Sequence, residues 1–204
     1  QRVDRGECDL LACEGLSLRA FADGSGFVDL IVVDDEIFAN DRQIDRFANL
    51  NSTVIGDYRK PKVRLPGAGG APEIASFCRR TLVLLRQNPR TFVEKLDFMT
   101  TVGMLHGNGS RQKLCVPGHG PQAVITDLGI LEPDAESGEL VLTHLHSGVS
   151  AEAAIEATSW PLKVADNLGE TDEPTKEELE ILRSLVPSEK SDVAELIPST
   201  ADLD

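Results

Sequence analysis

The chain has 204 residues, with 20 Lys+Arg against 34 Asp+Glu and a net charge of −14. Residues 1–131 hold 16 acids and 16 bases, while residues 132–204 hold 18 acids and 4 bases, so the whole excess lies in the last third. A balanced front and an acidic end provide no basic stripe for a nucleic-acid backbone and are repelled by anionic lipid, which excludes nucleic acid and membrane surfaces as expected partners. At 41% hydrophobic and 26% charged, the composition is that of a folded protein with a sizeable core. No apolar run approaches bilayer length, and Gln1 to Asp9 has neither the basic start nor the apolar stretch of a secretory signal, so a cytoplasmic protein is expected. Cys8, Cys13, Cys78 and Cys115 have neither C-x-x-C spacing nor the density of a secreted scaffold, and free thiols are expected.

In chain order, short leucine-rich and β-branched runs predict strands at Leu10 to Cys13, Val28 to Val33, Thr81 to Arg86, Ala123 to Thr126 and Leu140 to His144, an α/β pattern of buried strands. Pro72 to Arg80 begins with proline and an acid, both favoured in a first helical turn. Ser150 before AEAAIEATSW reads as an N-cap. Thr175 with Glu178 forms a capping box ahead of an amphipathic stripe. Residues 1–186 are read as one α/β domain and 187–204 as an acidic tail with little to bury.

The stretch from Lys62 to Ser76, KVRLPGAGGAPEIAS, reads as a strand, a glycine turn and a helix start. Glycines 67, 69 and 70 allow a tight turn whose amides approach a ligand with no Cβ in the way. Such amides suit an anion, either a phosphate or the oxyanion that develops on a carbonyl under attack. The spacing is neither G-x-G-x-x-G nor a P-loop.

Asn51 to Ser76 (NSTVIGDYRKPKVRLPGAGGAPEIAS), Arg90 to Gly103 (RTFVEKLDFMTTVG) and Ala123 to Leu131 (AVITDLGIL) resemble the β subunit of class I CoA-transferases, most of all the glutaconate CoA-transferase type. Gln43 to Asn51 and His146 to Trp160 are similar to the same family in the same order. The resemblance implies an open, mostly parallel sheet with covering helices. It implies an acyl-CoA thioester as substrate, with coenzyme A entering as part of that substrate and no permanently bound cofactor. An α-like partner subunit, in a heterodimer or heterotetramer, is implied as well. It assigns the oxyanion hole to the family's G-x-G-G-A motif, matched here by Gly67, Ala68, Gly69, Gly70 and Ala71.

The family's other signature is E-x-G near the end of an early strand, where the glutamate is the nucleophile. Here the sequence reads Cys13-Glu14-Gly15. With Gly15 as the motif's glycine, Cys13 fills the nucleophile's place, similar to decarboxylase relatives acting on methylglutaconyl-CoA; ring-opening hydrolases of CoA esters also lack the glutamate. A carboxylate attacking a thioester gives a reactive anhydride, whereas a thiolate gives another thioester, so the exchange weakens transfer without weakening acyl-CoA binding. Glu14 remains the alternative, because a register slip of one residue returns a glutamate to the site and only one of two strand neighbours faces a given side. Transfer, decarboxylation, hydrolysis and a non-catalytic CoA-binding role for this subunit all stay open on the sequence.

Arg59, Lys60, Lys62 and Arg64 put four cations in six residues, suited to CoA phosphates or to a solvated edge strand. His144 and His146 share a strand face, but no carboxylate or cysteine stands at ligand spacing, and no metal is expected. Cys115 and His119 lie in a Pro-Gly loop. The chain is short for the family, the shortfall falling before Cys13 and between Gly15 and Gln43, and Phe21 to Phe27 is where a break is expected.

Overall fold

The computed structural model describes residues 10–13, 16–22, 28–33 and 42–185, the first three stretches as backbone strands. The expected acidic tail, Glu14 and Gly15, and residues 23–27 lie outside the described residues, as does the Cys13 side chain. The chain divides into two compact units, residues 1–171 and 172–204.

The first unit is built on an eight-stranded sheet. In spatial order it runs β1 (Leu10–Cys13), β2 (Leu16–Ala22), β3 (Val28–Val33), β8 (Thr81–Leu84), β9 (Pro121–Ile125), β10 (Gly129–Pro133), β11 (Leu140–Leu145) and β12 (Lys163–Glu170). Pairing is antiparallel for β1/β2, β2/β3, β9/β10 and β10/β11, and parallel for β3/β8, β8/β9 and β11/β12. Only β2 and β10 therefore run against the other strands, and the sheet is mostly parallel as the resemblance implies. Parallel neighbours need crossovers. The crossover from β3 to β8 carries β4 (Gln43–Ile44), β5 (Leu50–Asn51), β6 (Val54–Gly56), β7 (Pro61–Arg64) and α1 (Ala71–Phe77). That from β8 to β9 carries α2 (Ser110–Lys113), and that from β11 to β12 carries α3 (Ala151–Glu156).

The central strands are covered on both faces, which is why they read as continuous apolar runs: in β8, Thr81 and Val83 are buried while Leu82 and Leu84 are half-buried. Val83, Val124, Leu131, Leu140 and Leu142 form the core with Ile44, Phe92 and Trp160 from the connections. Phe92 and Trp160 stack with ring centroids 5.8 Å apart. Aromatic pairs of this kind add about 1 kcal/mol to the area they bury. The Ser150 cap forms as expected, its hydroxyl accepting from Ala153 N at 3.3 Å. β2 and β3 register from Ser17 opposite Val33 to Ala22 opposite Val28, while residues 23–27, most of the stretch where a break is expected, lie outside the described residues. Leu16, Leu18, Ala20 and Ala22 carry the period-2 pattern of β2, a strand missed in the sequence.

In the second unit, α4 (Lys176–Leu185) starts at the expected box, with Thr175 N donating to Glu178 Oε2 at 2.8 Å and Glu178 N to Thr175 Oγ1 at 3.2 Å. No helix among the described residues is long and apolar enough to cross a membrane.

Candidate active site

The glycine loop is pinned at its start and free in its middle. Leu65 N donates to Thr53 O at 3.1 Å and Gly67 N to Ser52 O at 2.8 Å, while Ser52 Oγ donates to Gly67 O at 2.9 Å. Gly67 has φ +100°, and a Cβ there would meet nothing within 4 Å. Its glycine is thus demanded by backbone conformation, and the space beside it is open. Ala71 N donates to Ala68 O at 3.0 Å and closes the turn into α1. Gly67 and Ala71 consequently spend their amides on the loop itself. The Ala68, Gly69 and Gly70 amides make no hydrogen bond among the described residues. Three consecutive donors facing no acceptor among the described residues are the arrangement an oxyanion needs.

Beside the loop lies a pocket. Leu50 and Leu85 form its apolar wall, Ala71 and Ser52 its loop side, and Arg42, Gln43 and Asn51 its polar floor. The floor is a hydrogen-bonded unit. Asn51 Nδ2 donates to Gln43 Oε1 at 2.8 Å and to Val54 O at 2.7 Å, and Asn51 Oδ1 accepts from Thr53 N at 3.0 Å. Gln43 Nε2 donates to Asp97 Oδ2 at 2.9 Å, and the same carboxylate accepts from Gly56 N at 3.0 Å. Buried amides satisfied in this way hold one geometry, because any shift leaves a desolvated polar atom unpaired. Sequence reading singled out none of Arg42, Gln43, Asn51 or Ser52. The signal was present in the QIDRFANLN block, whose polar letters read as surface although Gln43, Asn49 and Asn51 are buried.

Leu85 directly follows β8, so the pocket sits beyond the carboxyl end of that strand, the usual ligand edge of an open α/β sheet. Cys13 ends β1, which runs in the same direction as β8. The register carries Ala12 through Ser17 and Val33 to Leu84, placing Cys13 one position further out on the same carboxyl edge. With β2 and β3 between them, β1 and β8 are three strand spacings apart, about 14 Å. Cys13 and the loop thus share an edge of the sheet.

The loop is held from behind by Arg111, only 1% exposed, on α2. Its Nε donates to Gly118 O at 2.8 Å, Nη1 to Gly103 O at 2.9 Å, and Nη2 to Ala75 O at 3.2 Å and Ser76 O at 3.4 Å. Burial pushes its pKa down. Two of these acceptors are in the last turn of α1, so a charge with no carboxylate partner among the described residues serves as that helix's C-terminal cap. Nothing in the letters GSRQKL marked it as buried.

The remaining candidates lie elsewhere. Arg59, Lys60, Lys62 and Arg64 are exposed on the β6/β7 hairpin. His146 engages both ring nitrogens, Nε2 with Thr126 O and Nδ1 with Thr171 Oγ1, each at 2.8 Å. A carbonyl can only accept, so Nε2 carries the proton. Cys115 and His119 are both exposed in the loop after α2. No cluster of three metal-ligating side chains occurs among the described residues.

Residues 35–157 match the coenzyme A transferase family. One of the subunits of the 3-oxoadipate CoA-transferase of Pseudomonas knackmussii is 55% identical over 148 residues, covering 72% of this chain and 57% of that protein. The crystal structure of glutaconate coenzyme A-transferase from Acidaminococcus fermentans superposes with a TM-score of 0.67 at 35% identity, over 73% of this chain and 57% of the other. The crystal structure of the decarboxylase AibA/AibB superposes with a TM-score of 0.58 at 25% identity, over 72% and 54%. The chain spans little more than half the length of each. A family match over more than half of its residues, together with the shared fold, places this chain in the coenzyme A transferase family.

Proposed function

We propose that the chain is the β-like half of a two-subunit enzyme that works on an acyl-CoA thioester of a dicarboxylic acid, with transfer of CoA to a carboxylate as the reaction. Coenzyme A enters as part of the substrate, and an α-like subunit completes the site. The observation that carries this reading is the run of three unspent amides, Ala68 to Gly70, at a pocket on the carboxyl edge of the sheet. Attack on a thioester carbonyl converts its oxygen to an oxyanion, and amides already in place stabilise that charge without reorganising; removing one such donor typically costs about 10² to 10³ in rate. The relatives support the substrate class, since both the 3-oxoadipate and the glutaconate CoA-transferases are named for dicarboxylates.

A second reading is favoured by one residue. Cys13 stands where the family's nucleophilic glutamate is expected, and decarboxylase structures similar to this chain include substitutions of a single cysteine. In that reading the amides hold the dienolate oxygen left when a glutaconyl-type CoA loses carbon dioxide, and the Cys13 thiol acts as proton donor or shapes the pocket. Glu14 takes the nucleophile's role if it, and not Cys13, faces the pocket.

The test is to co-purify the full-length protein with its partner subunit, supply glutaconyl-CoA and methylglutaconyl-CoA with and without acetate, and identify products by mass spectrometry. Acetyl-CoA formed only with acetate establishes transfer. A crotonyl-type CoA establishes decarboxylation, and free or ring-opened acid establishes hydrolysis. Turnover unchanged in both Cys13→Ala and Glu14→Ala would remove these residues from the reaction and leave this subunit a CoA-binding partner.

A further inference from the structure

The β6/β7 hairpin is unlike the rest of the first unit. Every residue from Asp57 to Lys60 and from Lys62 to Arg64 is exposed, yet the hairpin is rigidly made. Asp57 Oδ1 accepts from Arg59 N at 2.9 Å and Lys60 N at 3.0 Å, so the one carboxylate of the tip is spent on the turn. Lys62 lies across Gly56, where a Cβ would meet its Cγ at 3.2 Å. Arg64 Nη2 donates to Tyr58 O at 2.8 Å, and its guanidinium carbon sits 4.8 Å from the Tyr58 ring centre. Tyr58 stacks on Phe98 at 5.3 Å, although the two rings remain 53% and 36% exposed. Arg59, Lys60, Lys62 and Arg64 have no carboxylate within ion-pairing distance among the described residues. An aromatic surface and four cations with no carboxylate partner among the described residues are thus held side by side.

Their position relative to the glycine loop has a length. Arg64 is three residues and Lys60 seven residues before Gly67, at most about 10 and 23 Å along an extended chain. The pantetheine arm of coenzyme A separates thioester from phosphates by roughly five peptide lengths, about 17 Å when extended. A thioester at Ala68 to Gly70 therefore leaves the phosphates able to reach the hairpin.

We infer that the hairpin binds the nucleotide end of the coenzyme, its cations receiving the phosphates and the Tyr58–Phe98 surface stacking the adenine. The inference rests on the acyl-CoA reading above and specifies which part of the chain grips the coenzyme. Phosphate contacts from Lys and Arg supply charge, and a base gains by stacking on an aromatic ring.

The test compares the assembled wild-type enzyme with Lys60→Ala/Lys62→Ala and, separately, Tyr58→Ala, using an acyl-CoA and the same acyl group on pantetheine. KM for the acyl-CoA is expected to rise about tenfold or more in the double variant, with kcat within about twofold. KM for the pantetheine thioester is expected to be unchanged, and the difference between the two substrates to shrink with added salt. Calorimetry with adenosine 3′,5′-bisphosphate is expected to show binding to the wild type and loss of it in the variants. Equal effects on both substrates, an unchanged KM for acyl-CoA, or variants that fail to assemble with the partner would overturn the inference, the last making the hairpin an interface between subunits. A wild type that turns over no CoA thioester refutes the functional reading, whereas bisphosphate binding tests the hairpin on its own.

Discussion

Two glycine-rich loops serve this fold in opposite ways. In the segment from Gly103 to Gly120, three glycines are present because the backbone of another segment occupies the place of a side chain. A Cβ on Gly103 would lie 2.3 Å from Ala48 O, on Gly107 2.1 Å from Ser137 O, and on Gly118 2.0 Å from Cys78 O. At Gly67 a Cβ would meet nothing within 4 Å. The first loop is glycine-rich so that the protein can touch itself, the second so that the chain can turn and leave a surface bare. Counting glycines in a sequence cannot separate the two cases; asking what stands beside each one can.

The sharpest way to break this contrast is Gly118→Ala. The clash is with backbone on the α1 side of the loop and cannot be relieved by a rotamer change, so a loss of about 3 kcal/mol or more, or failure to fold, is expected in urea unfolding. Arg111→Leu comes next. It strands the carbonyls of Gly118, Gly103 and Ala75 at about 1 kcal/mol or more each, and an expected total near 3 kcal/mol would appear in the same measurement. Gly67→Ala should cost only about 1 to 2 kcal/mol of stability, from the left-handed backbone alone, yet lower turnover by about 10²-fold as the amides after it shift. If its stability cost equals that of Gly118→Ala, the loop is a structural turn and the contrast fails.

The smallest expected effect depends on pH. Glu139 accepts from Lys163 and from Arg46 Nη1, the latter at 3.2 Å, and these partners hold its carboxyl below the ordinary 4.5, Lys163 contributing most. A folded pKa lower than the unfolded one contributes stability that is complete above 4.5 and is lost as pH falls through the depressed folded value. Glu139→Gln should therefore flatten the acid limb of the stability profile, while leaving the activity ratio between Gly67→Ala and wild type unchanged. A steeper acid limb in the variant would contradict the assignment.

What could be read from the letters divides along the same line. β8, β9 and β11 were legible because buried strands are written as apolar runs, and β1 and β3 were legible from apolar letters of the same kind. β12 was not: Lys163 to Glu170 is polar and half-exposed because it is an edge strand. It pairs with β11 only by letting three extra residues bulge between Val164 and Gly169. The glycine loop was legible from its spacing, but which amides it leaves free was not, since that depends on Ser52, fifteen residues earlier. Arg111 was invisible because its acceptors are backbone carbonyls, which every sequence has.

Asp97 receives Gln43 from the pocket floor and Gly56 from the hairpin on one oxygen. A substitution at Asn51 that moves Gln43 therefore changes the footing of Tyr58 and Lys62 without touching either. The energies of floor and hairpin variants should fail to add, and across relatives positions 43, 51 and 97 should change together or not at all, as a single inherited unit.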